Sequence, residues 1–223
     1  MNAQHRIVEP FSNRDEAGRA LAARLLTLHL REPIVVIALP RGGVPVAAVV
    51  ARSLHAALDL LLVRKIGVPG EPELAVAAIA EGEPPELVID EEVRRIAAVD
   101  ATYIQAQVQC ELQELARRRQ AYLSGRPRAD VQGCTVIVVD DGIATGTTMR
   151  AALRALRRRR PARLVLAVPV AAADTLAVLR HEVDQVVCLA QPEPFRAVGL
   201  HYEDFEQVSD DEVIAALNAA AAA

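Results

Sequence analysis

The chain has 223 residues, enough for one domain with a substantial core. Hydrophobic residues make up 52% and charged residues 24%, and the formal net charge is −4, which excludes a disordered chain and makes nucleic acid an unexpected partner. The three cysteines show neither metal-ligand spacing nor a disulfide framework, as expected of a cytoplasmic protein. We also expect no membrane segment, because no apolar run reaches the roughly 18 residues that a membrane helix needs, and no signal peptide.

The first part of the chain alternates helix and strand signals. Ser12 is a candidate N-cap for a helix with leucines at helical spacing. Residues 34–39 form a short apolar run without alternation, which is typical of a strand buried on both faces. A Gly-Gly turn then opens an Ala- and Val-rich helix to about residue 55, and residues 58–63 are predicted to form a second strand.

The middle of the chain is less regular. Residues 66–73 contain two glycines and two prolines, which predicts a loop. Residues 74–80 are a candidate strand, and residues 90–123 are expected to form one or two helices ending near Gly125.

The second half returns to regular alternation, which indicates an α/β fold. Strands are predicted at residues 135–139, 164–168 and 185–189, and helices at residues 147–159 and 174–181. Residues 191–210 are irregular, and a last helix is expected from Ser209. Because no linker separates two halves, residues 1–223 are expected to form a single domain.

The most informative segment joins the strand at residues 135–139 to the next helix. Two acids, Asp140 and Asp141, come first, and the loop Ala144, Thr145, Gly146, Thr147 and Thr148 follows. Backbone N–H groups and hydroxyls at a helix N-terminus favour a phosphate. Carboxylates would repel a phosphate, but they suit neutral hydroxyls or a metal ion. A sugar that carries one phosphate and a vicinal diol satisfies both halves.

This segment resembles the motif with which type I phosphoribosyltransferases bind 5-phosphoribosyl 1-pyrophosphate (PRPP). The resemblance implies that Asp140 and Asp141 hold the ribose hydroxyls and reach a Mg²⁺ ion indirectly, through those hydroxyls or water. It implies that the loop at residues 144–148 holds the 5-phosphate. It also implies the type I phosphoribosyltransferase fold, a parallel sheet with helices on both faces plus a small hood, which we expect from residues 66–130 and 191–210. A Walker loop is excluded, because its Gly-Lys-Ser/Thr sequence is absent.

Two basic segments support the resemblance. Arg41, Gly42 and Gly43 follow the first strand, where glycines allow close approach to an anion and the arginine adds charge. The family grips pyrophosphate with this loop, often with a cis peptide, here expected between Pro40 and Arg41. A solvated turn is the alternative.

Arg64 and Lys65 end the second predicted strand, and Lys65 is the only lysine of the chain. Together with the residues that follow, they resemble the part of adenine-type enzymes in which a basic pair reaches the pyrophosphate and a loop closes over the site. Chance is the alternative explanation for the lone lysine.

Three further positions are candidates by resemblance. Glu81 lies where adenine-type members place an acid near the base, which makes it a candidate catalytic residue alongside Asp140, Asp141, Arg64 and Lys65, and a solvated turn acid is the alternative. Ala144 replaces the aspartate of 6-oxopurine enzymes, which argues against hypoxanthine or guanine as acceptor. Phe195 and Tyr202 could stack on a planar base from the hood, or belong to a small hydrophobic cluster.

The sequence therefore predicts a Mg²⁺-dependent phosphoribosyltransferase that joins PRPP to a small nitrogenous base and releases pyrophosphate. The family habit suggests a homodimer or a higher oligomer. A PRPP-binding regulator without transferase activity is the main alternative, and a phosphoribosyl hydrolase or phosphatase is a weaker one.

Overall fold

A computed structural model of the protein describes residues 9–123 and 126–221. The helices in these ranges are α1 (Arg14–Leu26), α2 (Gly43–Leu54), α3 (Glu91–Ile96), α4 (Ala101–Leu123), α5 (Thr147–Arg158), α6 (Ala173–Leu179) and α7 (Asp210–Ala221). The strands are β1 (Ile34–Ala38), β2 (Ala57–Leu60), β3 (Val63–Val68), β4 (Glu71–Ala80), β5 (Glu86–Ile89), β6 (Thr135–Val139), β7 (Arg163–Val170) and β8 (Gln185–Ala190). A short 3-10 helix, Val198–His201, lies between β8 and α7.

Five parallel strands form the main sheet, in the order β2-β1-β6-β7-β8. Every residue of β6 is buried, which agrees with the unbroken apolar run at residues 136–139 that follows Thr135. The chain leaves β1 toward β2 on one side and leaves β6 toward β7 on the other. The crevice at the carboxyl ends of β1 and β6 is therefore the topological switch point, where ligands bind in open α/β sheets.

Helices cover both faces of the main sheet. Alternate residues of β1 point to opposite faces, so that Val36 and Ala38 join one core while Val35 and Ile37 join the other. The first core includes side chains of α1, α2 and α7, and the second includes side chains of α5 and α6. The predicted fold, a parallel sheet with helices on both faces, is confirmed.

A second, antiparallel sheet of three strands, β3-β4-β5, corrects two predictions. The apolar run at residues 58–63 is not one strand, because β2 ends at Leu60 and Val63 begins β3 in the other sheet. Residues 66–73 are not a loop, because β3 and β4 pair as a hairpin around Pro69 and Gly70. The proline and glycine of residues 69–70 make only the turn.

The second sheet lies between α5 and the pair α3 and α4. Ala78, Ala80 and Val88 pack into the core on the α5 side, while Ile66 and Val76 pack with residues of α3 and α4. That residues 66–130 and 191–210 act together as a hood, and that residues 1–223 form a single domain, stay predictions.

Most helix ends lie within a few residues of the predicted positions. The N-cap of α1 is Asn13, whose side chain accepts the backbone N–H of Glu16, while Ser12 donates its hydroxyl to the Glu16 carboxylate. The predicted helix end near Gly125 lies outside the described residues. Within residues 9–123 and 126–221, none of the helices is both long and apolar enough to span a membrane.

Candidate functional site

The loops after β1 and β6 meet at the switch point. A Cβ atom on Gly42 would overlap the Asp141 carboxylate, and one on Gly43 would lie 2.8 Å from the carbonyl oxygen of Val139. The two glycines therefore make room for the acidic residues that follow β6. This contact is the physical reason for glycine at both positions, beyond the expected approach to an anion.

Asp140 and Asp141 lie side by side in a poorly solvated position. The Asp140 Oδ1 atom accepts the backbone N–H of Asp141 at 2.9 Å. Burial, reinforced by the charge of Asp141, raises the pKa of the Asp140 carboxyl well above its usual value. Burial also raises the pKa of Asp141, although a neighbouring guanidinium opposes this shift. Two acids held this way suit partners that donate hydrogen bonds or carry positive charge.

That guanidinium belongs to Arg14 of α1. Its Nε atom donates to the Asp141 Oδ2 atom at 2.9 Å, and its Nη1 atom donates to the Glu206 carbonyl oxygen at 2.8 Å. The guanidinium carbon lies 3.9 Å from the centre of the Phe205 ring. The Tyr202 hydroxyl donates to the Asp141 carbonyl oxygen at 2.6 Å. Asp141 is thus held at its side chain and its backbone.

The loop at residues 144–148 leads directly into α5. Gly146 has a φ of 78°, which favours glycine, and a Cβ there would lie 2.5 Å from the Thr175 Cγ2 atom. The Thr175 hydroxyl donates to the Ala144 carbonyl oxygen at 2.6 Å. The first intrahelical bond runs from Arg150 N–H to the Gly146 carbonyl oxygen, so the preceding N–H groups of α5 have no acceptor in the described part of the chain and could bind a phosphate.

A cavity of about 710 Å³ opens beside this loop. Ala144 and Thr145 form one wall, and the rest comes from the start of α6, after β7, and from the loop after β8. That second part of the lining includes Asp174, Phe195 and Arg196. The cavity has the size of a small-molecule site.

Arg41 belongs to the same crevice. The peptide bond between Pro40 and Arg41 is cis, as the resemblance predicts. The Arg41 Nη1 atom lies 3.4 Å from the Asp210 Oδ1 atom, which also accepts the Tyr122 hydroxyl at 2.7 Å. The tyrosine hydrogen bond is the largest of the contacts that lower the pKa of Asp210, while burial, with help from Asp210, raises the pKa of Tyr122 to about 12.

Arg64 and Lys65 lie on β3, away from these contacts. Arg64 pairs with Glu111 at 2.6 Å and Lys65 with Glu73 at 2.6 Å. Both line a different cavity, of about 430 Å³, under the β3–β4 hairpin. Their predicted contact with pyrophosphate stays a prediction.

Glu81 is neither solvated nor part of the crevice contacts. Its side chain is 7% exposed and accepts hydrogen bonds from Arg119 at 2.9 Å, Arg128 at 2.9 Å and the Leu62 backbone at 3.1 Å. The alternative of a solvated turn acid is therefore wrong. The proposed catalytic role stays a prediction, and an ion-pair role is now its competitor.

The two aromatic candidates occupy different places. Phe195 lines the 710 Å³ cavity. Tyr202 is buried, with its ring centre 5.7 Å from that of Phe11 and 5.0 Å from that of Phe205. The alternative of a small hydrophobic cluster therefore describes Tyr202, and Phe195 remains the candidate for stacking on a base.

The sequence did not indicate three residues that fix this site, Arg14, Thr175 and Asp210. Arg14 is 127 positions from Asp141, and Thr175 is 31 positions from Ala144. No local pattern marks such partners, and only the fold brings them together.

Comparisons with known proteins agree with this geometry. A sequence model of the phosphoribosyl transferase domain matches residues 12–204. Two proteins from strains of Mycobacterium tuberculosis, each named "Putative phosphoribosyl transferase", are 47% identical over 210 residues, covering 94% of this chain and 47% of theirs. The chain thus spans about half the length of these curated relatives.

One solved structure is similar over nearly its whole length. TT1426 from Thermus thermophilus has a TM-score of 0.78 at 43% identity, covering 93% of this chain and 97% of that one. The main sheet and the helices on its two faces place the chain in the parallel α/β class. The chain belongs to the phosphoribosyl transferase domain family.

Proposed function

We propose that the protein transfers the 5-phosphoribosyl group of PRPP to a nitrogenous base and releases pyrophosphate. The observation that carries the proposal is the arrangement after β6, where the half-buried Asp140 and the buried Asp141 are followed by a loop whose N–H groups at the start of α5 have no acceptor among the described residues. One ligand fragment, a ribose with a 5-phosphate, matches both parts.

The loop would anchor the 5-phosphate far from the reacting carbon, so that binding energy there serves orientation. Asp140 and Asp141 would accept the ribose hydroxyls. In the reaction the bond from C1 to the pyrophosphate oxygen breaks, a bond from C1 to the base nitrogen forms, and the base loses a proton. Carboxylates near the ribose favour the positive charge that develops on the ring.

Arg41 would stabilise the negative charge on the leaving pyrophosphate. Arg64 and Lys65 would join it only after movement of the β3–β4 hairpin, because both are now paired with carboxylates on β4 and α4. Closure of this hairpin would also exclude water from the reacting carbon.

The acidic pair fits Mg²⁺ only as part of a site that PRPP completes. Among the described residues, no cluster of three or more histidine, cysteine, aspartate or glutamate side chains could hold a metal. Mg²⁺ often takes one or two carboxylates together with substrate oxygens and water. Asp140 and Asp141 would hold it indirectly, and the ion would neutralise charge on the pyrophosphate.

The acceptor base would occupy the 710 Å³ cavity, which starts at Ala144, the first residue of the phosphate loop. Phe195 offers an aromatic face there, and Asp174 and Arg196 offer an acceptor and a donor of hydrogen bonds. Ala144 provides no carboxylate for the ring proton of a 6-oxopurine, so adenine is preferred to hypoxanthine or guanine.

The test is pyrophosphate release from PRPP and Mg²⁺, with adenine, guanine, hypoxanthine, xanthine, uracil, orotate and nicotinate offered one at a time. We expect release with one of these bases. The double variant Asp140→Asn with Asp141→Asn should abolish it while the protein stays folded, as circular dichroism would report. Unchanged turnover in that variant would refute the assignment.

The same assay separates the alternatives. PRPP binding without release for any base would favour a regulator, and phosphate or pyrophosphate release without a base would identify a hydrolase or phosphatase.

A further inference from the structure

The Arg14 side chain lies against Asp141, the second residue of the acidic pair, and is largely shielded from solvent. It is 11% exposed, and its partner Asp141 is 13% exposed at the side chain. Three different contacts fix the guanidinium, namely the Asp141 carboxylate, the Glu206 carbonyl oxygen and the face of Phe205. An arginine held on three sides has one orientation, and so does the carboxylate that it binds.

This arrangement divides the two oxygens of Asp141. Oδ2 is taken by Arg14 and lies against Gly42. Within residues 9–123 and 126–221, no backbone N–H, hydroxyl or guanidinium group bonds to Oδ1, and the neighbouring Asp140 carboxyl also contacts the Asp141 side chain. One oxygen is thus fixed to the protein, and the other is left to accept a hydrogen bond from a ligand.

We infer that Arg14 is a positioning residue for PRPP, which holds Asp141 so that its Oδ1 atom accepts a ribose hydroxyl. The inference rests on the proposed function and adds a residue to it. Arg14 does not touch the ligand itself. It acts through Asp141, and α1 together with residues 202–206 is thereby part of the ligand site.

A purely structural ion pair would explain the contact less well. Burying an arginine and a carboxylate together contributes little net stability, because the cost of desolvation offsets the attraction. Next to a crevice, the same pair can orient the carboxylate for a ligand. A carboxylate that is already fixed binds a hydroxyl without a further loss of conformational entropy.

The experiment is a double-mutant cycle read by the affinity for Mg²⁺ and PRPP in isothermal titration calorimetry. The proteins are wild type, Arg14→Met, Asp141→Asn and the double variant, with Arg14→Lys added because it keeps the charge and should fold if Arg14→Met does not. Arg19→Met is the matched control, since Arg19 lies on the same helix but is exposed. Thermal melts verify that each protein is folded.

We expect Arg14→Met to weaken binding roughly tenfold and Arg14→Lys to weaken it less, since a charged hydrogen bond lost at the ligand costs about this much. The double variant should bind no more weakly than Asp141→Asn alone, because both changes remove the same interaction. Arg19→Met should bind like wild type.

Two results would overturn the inference alone, namely wild-type affinity in Arg14→Met and in Arg14→Lys, or losses that multiply in the double variant. Absence of binding by the wild-type protein would overturn the proposed function and this inference with it.

Discussion

At the scale of single residues, the position of Asp140 suits ligand binding but lowers the stability of the folded protein. Its pKa is higher in the folded protein than in the unfolded chain, because burial and the charge of Asp141 disfavour its ionised form. The folded state therefore loses stability as the pH rises through the folded pKa. At neutral pH this aspartate is expected to destabilise the protein.

Asp140→Asn should therefore raise the free energy of unfolding at pH 7 by about 1 kcal/mol while it weakens PRPP binding. The gain should shrink as the pH falls toward and below about 4, where the aspartate becomes protonated in the unfolded chain as it already is in the folded protein. Thermal melts over this pH range provide the measurement. Asp100→Asn is the control, since the Thr102 backbone N–H lowers the pKa of that exposed acid and asparagine should bring no gain. A lower melting temperature for Asp140→Asn at pH 7 would contradict the argument.

The close packing around Gly42 leads to a second prediction at the scale of single residues. Its backbone is right-handed helical, with φ −58° and ψ −34°, so alanine would not strain the chain. The added methyl group would instead overlap the Asp141 carboxylate. Gly42→Ala should cost about 1–3 kcal/mol of stability and displace Asp141 from its ligand position.

Calorimetry with PRPP and Mg²⁺ should show weaker binding for Gly42→Ala. Gly133→Ala separates the two effects, because Gly133 has open space around its missing Cβ but a φ of 72°. That variant should lose stability and keep its affinity. Equal affinities in Gly42→Ala and wild type would show that Asp141 tolerates displacement.

At the scale of elements, α6 supports the phosphate loop through one hydrogen bond. Thr175→Val keeps the shape of the side chain but removes the donor to the Ala144 carbonyl oxygen. We expect a loss of about 1 kcal/mol in stability and a several-fold weaker affinity for PRPP, since the loop is less well fixed. Thr27→Val is the matched control, because the Thr27 hydroxyl bonds the Arg24 carbonyl oxygen on the surface of α1. If both variants bind PRPP alike, the contact has no part in the site.

The elements that the sequence predicted well are those with both faces buried. β1, β6 and β7 are unbroken or nearly unbroken apolar runs, and burial on two faces leaves no other arrangement for them. The prediction of one strand at residues 58–63 is wrong, because a run of apolar residues does not show which sheet each residue joins. The chain changes sheets there, between Leu60 and Val63.

The residues of the site also divide into those that the sequence predicted and those that it did not. Asp140 to Thr148 are consecutive, so the order of acids, glycines and threonines is visible in the sequence. Arg14 and Thr175 reach this segment only through the packing of α1 and α6, and neither residue stands out from its neighbours along the chain. Sequence patterns therefore predicted the groups that would touch a ligand but missed the side chains that hold them.

At the scale of the whole molecule, Glu81 joins the two sheets. It follows β4 of the second sheet and accepts the backbone N–H of Leu62, which follows β2 of the main sheet. Arg119 of α4 and Arg128 bind the same carboxylate. Four segments thus meet at one buried acid, which makes a structural role the simpler expectation.

Glu81→Gln should lower the free energy of unfolding by about 2–4 kcal/mol, because it leaves two partly buried arginines without a counter-charge. For a chain of this size we expect a fall in melting temperature on the order of 10 °C. At temperatures where the variant is still folded, its affinity for PRPP should stay near that of the wild type. The reason is that no described contact links Glu81 to the acidic pair or the phosphate loop. Glu114→Gln is a suitable control, because Glu114 also binds two arginines but on the surface of α4. An unchanged melting temperature with lost turnover would instead assign Glu81 to the chemistry of the acceptor base.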